Sequence, residues 1–377
     1  MKPFAIYFPQ FYPTPTNNQA WGYGFSDWVL VASANLKDSW PRRAPRRGYY
    51  DGSDAAVNAA QLEEMSRHGL GGLALYHYWF YSHQELPAFE QHLLRGRLGS
   101  TMPWFLIWAN EGWSRRWLGD PSPLVTLSDR PTEAAVREHC RHLAACFSRR
   151  DYLRINGKPL FIFYHLNHFA DPATTVEMYR HFLRALETEV VLGHFIKNPA
   201  DADSAEHVDI SYLFEPRLFF GHQKSGRGAR TRAAFEASRR IVGDALAQQL
   251  LVLADRFQQR GTPFSSDIFL KYLCSDARRA LIKQLPTAVQ EVVSPGWNNT
   301  PRYGARFTAL ADVEPSQFGQ LLKAAAEREP SLPPLINAWN EWSEGAAVEP
   351  CFYQGTRYLD SLSVEAGYQS MPTETIK

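Results

Sequence analysis

Two glutamates three residues apart, Glu341 and Glu344, stand in the run Ile336-Asn337-Ala338-Trp339-Asn340-Glu341-Trp342-Ser343-Glu344-Gly345. In an extended chain their Cα atoms would lie about 10 Å apart. In a helical turn they would lie roughly 5 Å apart on one face, where both can reach one sugar ring. Glycoside chemistry needs such a pair: an acid for the leaving oxygen and a second carboxylate as base or nucleophile. A flanking Trp would desolvate a carboxyl and raise its pKa, which suits a general acid. The plainer alternative is two loop carboxylates paired with arginine.

Four further runs carry polar groups beside aromatic ones. Trp108-Ala109-Asn110-Glu111-Gly112-Trp113 places Glu111 just past an apolar stretch. Glu111 has three readings: a sugar-hydroxyl acceptor, the acid partner of Glu341, or an ion-pair partner of Arg115 or Arg116. Tyr76-His77-Tyr78-Trp79 offers His77 as a hydroxyl partner or carboxylate orienter, against a satisfied core histidine. Gly296-Trp297-Asn298-Asn299-Thr300-Pro301-Arg302 offers amides and a fixed cation, against an ordinary turn. Tyr7-Phe8-Pro9-Gln10 brings Tyr7 and Gln10 to a strand end. Trp28, Asn340 and Trp342 complete the candidate substrate-binding set. No cofactor motif and no metal-ligand set accompanies them. A metal-dependent hydrolase needs clustered His and Asp at strand ends, and only His77 and His165 qualify.

The elements that must position these groups are legible as eight short apolar runs: Phe4–Phe8, Gly72–Tyr78, Trp104–Trp108, Leu160–Tyr164, Val190–Phe195, Val208–Phe214, Val289–Val293 and Leu335–Trp339. Most are continuous rather than alternating, as in parallel strands covered on both faces. Helix-compatible stretches lie between them, at Ala55–His68, Glu133–Phe147, Thr174–Thr188 and Pro315–Arg328. The alternation predicts an α/β fold, a (β/α)8 TIM-type barrel, with long insertions after strands 1 and 6. A doubly wound sheet would want a GxGxxG after the first strand, and none is there. The expected organisation is one barrel domain over residues 1–377, with 217–288 inserted within it as a largely helical region. That insertion carries a basic run, His222–Arg232, read as a solvated loop, and a strong helix at Arg232–Arg260.

On this scheme ten of the 11 Trp residues fall past the C-terminal ends of strands 7, 8, 1, 2 and 3, where barrel active sites lie. A single Trp plugs a loop. Ten on one arc suggest a groove for stacking sugar rings. The 377 residues are 45% hydrophobic with net charge +1, which excludes global disorder and a general nucleic-acid binder. No apolar run reaches membrane-span length. The N-terminus does not read as a signal peptide and the four cysteines form no CxxC pair, so a cytoplasmic protein with reduced thiols is expected.

The phrases AIYFPQFYP, WGYGFSDW, YHYWF, WANEGWSRRW, NGKPLFIFYH, GWNNTPR and INAWNEWSEGAAVEP, in this order from Phe4 to Leu362, resemble the WbsX-type family. That family is described as glycosyltransferase-like and as similar to glycoside hydrolase family 99. The resemblance implies a (β/α)8 barrel and a role on bacterial surface polysaccharide, often O-antigen. Family 99 enzymes are retaining endo-α-mannosidases. Carried onto this chain, Glu341 would be the base that deprotonates a sugar 2-hydroxyl, giving a 1,2-anhydro sugar. Glu344 would be the acid, then the base. This chain has Asp27 where the resemblance leads one to expect Glu, and Asn298 where it leads one to expect Asp.

The expected function is therefore a retaining glycosidase or transglycosylase acting on an oligosaccharide or polysaccharide of the O-antigen type, or its precursor. The alternatives are a glycosyltransferase of polysaccharide biosynthesis and a non-catalytic glycan-binding barrel. No DxD-like motif and no phosphate loop supports a nucleotide-sugar transferase. Retention of both carboxylates speaks against a mere binder.

Overall fold

The structure, a computed structural model, describes residues 1–34, 44–114, 122–223 and 261–365. Eight parallel strands form a closed barrel: β1 (Phe4–Tyr7), β2 (Gly72–Trp79), β3 (Trp104–Trp108), β4 (Lys158–Phe163), β5 (Val191–Ile196), β6 (Ile210–Phe214), β7 (Ala288–Val293) and β8 (Leu335–Ile336). The ring closes because β1 pairs with both β2, from Phe4↔Gly72 to Tyr7↔Leu75, and β8, at Phe4↔Leu335 and Ala5↔Ile336. Strands β3 and β6 are buried at every residue. That is why their sequences run apolar without alternation. Gly72 opens β2 because an added Cβ would collide with the Phe4 ring and the Pro103 carbonyl.

Helices pack outside: α1 (Ala55–Arg67), α2 (Ala88–Leu94), α3 (Glu133–Phe147), α4 (Pro172–Arg184), α5 (Asp276–Gln284), α6 (Pro315–Arg328) and α7 (Arg357–Glu365). Their starts are chemically marked. Asp54 accepts a bond from the Ala56 amide at 2.8 Å, and Asp171 one from the Thr174 amide at 3.0 Å, ahead of Pro172. Such caps are worth about 1 kcal/mol each. The crossover from β5 to β6 is a 3-10 stretch, Pro199–His207. Helix α5 is pinned to the barrel by Arg278, whose Nε lies 3.3 Å from Glu215 and whose Nη2 lies 2.8 Å from Glu291, all buried.

Two expectations of extent change. The last strand stops at Ile336, not Trp339. Beyond it the Ala338 amide donates to the Ala346 carbonyl at 2.6 Å, so the chain folds back on itself, and the Trp339 amide donates to Ile6 at 2.7 Å. Helix α4 spans Pro172–Arg184 rather than Thr174–Thr188. The expected helix Arg232–Arg260 and most of the basic run lie outside the described residues. The described part of the insertion contributes a strand, Thr262–Phe264, to a small sheet with Thr308–Leu310 and Trp297–Asn298.

Candidate active site

The loop after β8 is held at both ends before it presents any chemistry. Asn340 accepts a bond from the Phe8 amide at 2.8 Å and donates one to the Phe8 carbonyl at 2.9 Å. Trp342 donates its indole N–H to Glu349 at 3.0 Å. Glu349 also accepts from Tyr50 at 2.9 Å and Gln61 at 2.8 Å. Burial pushes the Glu349 carboxyl up to about 7 against these three donors. Residues Trp342–Glu344 form one 3-10 turn, closed by Gly345 at φ 64°, a left-handed conformation that suits glycine.

This turn puts both carboxylates on one guanidinium. Arg302 Nη2 lies 2.7 Å from Glu341 Oε1, and Nη1 lies 2.5 Å from Glu344 Oε1. Asp27 Oδ1 is 3.5 Å from the same Nη2 and fully buried. Arg217 Nη2 reaches Glu344 at 3.3 and 3.4 Å, with its guanidinium over the Trp297 ring. Burial pushes the Glu341 carboxyl up to about 8. Arg302 opposes that rise, while Glu344 and Asp27 add to it. The Asp27 carboxyl is also raised by burial, with Arg302 opposing. A buried carboxyl near neutrality beside a second one is the arrangement proton-transfer chemistry requires.

Above the pair opens a cavity of about 640 Å³. Seven of the sequence candidates line it: Gln10, Tyr78, Glu111, Trp113, Arg302, Glu341 and Glu344. Glu111 is half-exposed at the rim, 4.0 Å from His165 Nδ1. Its sequence neighbours Arg115 and Arg116 lie outside the described residues.

Ten candidates are not on the wall, and a direct substrate contact does not fit their placement. The reason for four of them is strand parity, since successive side chains point to opposite faces. Tyr76 and Tyr78 face the cavity, so His77 and Trp79 face the helices. There both rings stack on His139 and His142 of α3. Tyr7 turns outward to Gln61 of α1 at 2.9 Å, and Trp108 packs on His139 and Tyr179. Asn110 bridges the ends of β3 and β4, bonding the His165 amide and carbonyl at 2.8 Å each. Asn298 caps a turn by accepting from the Thr300 amide at 2.9 Å. Trp28 stacks on Tyr49, packs at a tilt against Phe11 and donates to the Tyr50 carbonyl. Trp297, Asn340 and Trp342 are buried supports of the pair.

The aromatic arc is thereby corrected. Of the Trp residues, only Trp21 and Trp113 line the cavity among the described residues; Trp40 and Trp117 lie outside them. The aromatic wall is mainly Tyr and Phe: Phe8, Tyr76, Tyr78, Tyr164, Phe214 and Tyr303. Sequence reading missed most of these, together with Arg217, and noted Asp27 only as a departure from the resemblance. Parity was the available signal for Phe8 and Tyr76, which share a face with Gln10 and Tyr78. His77 and His165 do not converge, because His165 lines the cavity and His77 sits behind β2.

Comparison with known proteins decides the family. The sequence model of the family described as "Glycosyltransferase WbsX" matches residues 3–362. The chain belongs to the WbsX glycosyltransferase family. Two curated relatives, both the uncharacterized protein WxcX of Xanthomonas campestris pv. campestris (strains B100 and ATCC 33913), are 26% identical over 95% of this chain. The chain spans about half their length, 48% in each case. Among solved structures, the fold of this WbsX protein is similar to the GH99 endo-alpha-mannosidase of Bacteroides thetaiotaomicron in complex with bis-tris-propane. That likeness has a TM-score of 0.58 at 16% identity and covers 97% and 96% of the two chains. A glycoside hydrolase-like protein matches with TM-score 0.55 at 12% identity, over 97% and 94%. This chain is thus a member of the WbsX glycosyltransferase family whose barrel is similar in fold to that of the GH99 endo-alpha-mannosidase. No helix among the described residues is long and apolar enough to cross a membrane.

Proposed function

We propose that this WbsX protein is a retaining glycosidase or transglycosylase acting on a bacterial surface polysaccharide of the O-antigen type or its precursor. One observation carries the reading: Glu341 and Glu344 share one buried guanidinium at the foot of a cavity walled by Tyr and Phe. Glu341 takes the proton from the 2-hydroxyl as O2 attacks the anomeric carbon. Glu344 gives its proton to the departing glycosidic oxygen. A 1,2-anhydro sugar results. Glu344 then takes a proton from the incoming hydroxyl, which opens the three-membered ring, and Glu341 returns the first proton to O2. Water as the incoming group gives hydrolysis, and a sugar hydroxyl gives transfer. The description of the family as glycosyltransferases favours transfer. A carboxylate raised towards neutrality is a better base for a hydroxyl than an ordinary one.

The test is incubation of the purified protein with the source strain's polysaccharide and lipid-linked precursors, with products read by mass spectrometry. Glu341→Gln and Glu344→Gln should each cut turnover by about 10²–10⁴-fold, the usual worth of a general acid or base. Turnover that survives both substitutions rejects the mechanism.

A further inference from the structure

The cavity leaves one large group of ionisable side chains unused. It lies behind β2, between the barrel and helices α2 and α3. His77 points there from the strand. Glu90 faces it from α2. His139, His142 and Cys146 face it from α3, where spacings of three and four residues share one helix face. His77, Glu90, His139 and Cys146 are all buried, and His142 keeps 20% of its side chain exposed. Burying this many polar groups in an apolar shell is costly unless each one is satisfied.

The distances converge. Glu90 Oε2 lies 2.7 Å from His77 Nδ1, and Glu90 Oε1 lies 2.5 Å from His142 Nε2. Cys146 Sγ lies 3.8 Å from His142 Nε2 and 3.9 Å from Glu90 Oε1. Ligand atoms of His77, Glu90 and His142 all fall within 4.8 Å of one another. Around a tetrahedral zinc, bonds of about 2.0–2.3 Å hold ligand atoms roughly 3.3–3.8 Å apart. The sulfur stands near that separation from the Glu90 oxygen and the His142 nitrogen but outside the 4.8 Å group that these form with His77, so it moves in as the fourth ligand. The carboxylate and the two imidazoles need to part by under about 1 Å to admit the ion.

We propose that His77, Glu90, His142 and Cys146 form a structural zinc site that ties β2, α2 and α3 together. A thiolate with two imidazoles selects zinc over magnesium or calcium. The outer partners fit as well. His77 Nε2 lies 3.0 Å from His139 Nε2, and His139 Nδ1 lies 2.7 Å from the Tyr179 hydroxyl. A ligating histidine that hands its second N–H to such a partner has its ring orientation fixed. On binding, the Cys146 thiol proton leaves to solvent, and the partly exposed edge of His142 gives the ion its route in. The site is closed and separate from the cavity, so it stands or falls independently of the carbohydrate reading.

The experiment uses the full chain, stripped with a chelator and titrated with zinc against a chromophoric competitor, then with cobalt. One zinc per chain and a thiolate-to-cobalt charge-transfer band are expected. His139→Gln should weaken zinc binding by about 10–100-fold, as outer-shell changes do, and His142→Ala by more. Cys146→Ser should abolish the charge-transfer band. Zinc uptake well below one per chain, uptake unchanged in His142→Ala, or cobalt bound without the thiolate band would overturn the site and leave a hydrogen-bonded cluster alone. The wild-type cobalt spectrum decides the question even if a variant fails to fold.

Discussion

The protonation of Glu341 can be read without any substrate. Burial lifts its carboxyl from 4.5 to about 8. Between those values the folded protein holds a proton that the unfolded chain has released. Stability therefore falls as pH rises from about 4.5 to about 8, and Glu341 costs nothing further beyond that. At about 1.4 kcal/mol per pH unit the loss amounts to about 5 kcal/mol. Glu341→Gln cannot ionise and should not suffer it. With an unfolding entropy of about 2.1 cal/mol/K per residue, 377 residues give about 0.8 kcal/mol/K, so 5 kcal/mol is about 6 °C in Tm. Glu349, raised to about 7, titrates in the same range but is present in both proteins. The measurement is the Tm of wild type and Glu341→Gln by calorimetry at pH 5 and pH 9. The variant should gain about 6 °C on wild type between the two. A Tm gap that stays the same at both pH values, or moves the other way, would refute the reasoning.

Two further outcomes follow from the geometry. If Glu341 is the base, kcat/KM should fall about tenfold per pH unit below about 8, because only the ionised form accepts the 2-hydroxyl proton; an alkaline fall with no acidic limb near that value would reverse the roles of the two glutamates. Trp113→Ala, on the cavity wall, should raise KM with little change in Tm, whereas Trp28→Ala, buried against Phe11 and Tyr49, should cost about 3–5 kcal/mol of stability; paired KM and Tm measurements separate wall from support.

The barrel was legible because buried parallel strands leave continuous apolar runs, and seven of the eight expected runs meet their strands to within two residues at each end. The glutamate pair was legible because an ExxE in a turn must share a face, and the 3-10 turn at Trp342–Glu344 makes it so. What failed was the choice between neighbours. His77 and Tyr78 are adjacent in a strand buried on both faces, and nothing in such a run marks which face looks inward. Trp was overvalued for a related reason: a large ring just past a strand serves equally to seal a loop, as Trp28, Trp297 and Trp342 do. Arg217, and the pairing of Asp27 with Arg302, were illegible because they join residues far apart in the chain, which no local spacing records.

The clamp between Asn340 and Phe8 joins residues 332 positions apart, at the seam where the ring shuts. Strand β8 gives that seam only two residues of register on each side. The loop with the glutamates is therefore also the latch of the barrel. The backbone of Phe8 that anchors Asn340, next to Glu341, is in place only where the first and last strands meet. One short loop thus serves both the closure of the ring and the placing of the acids.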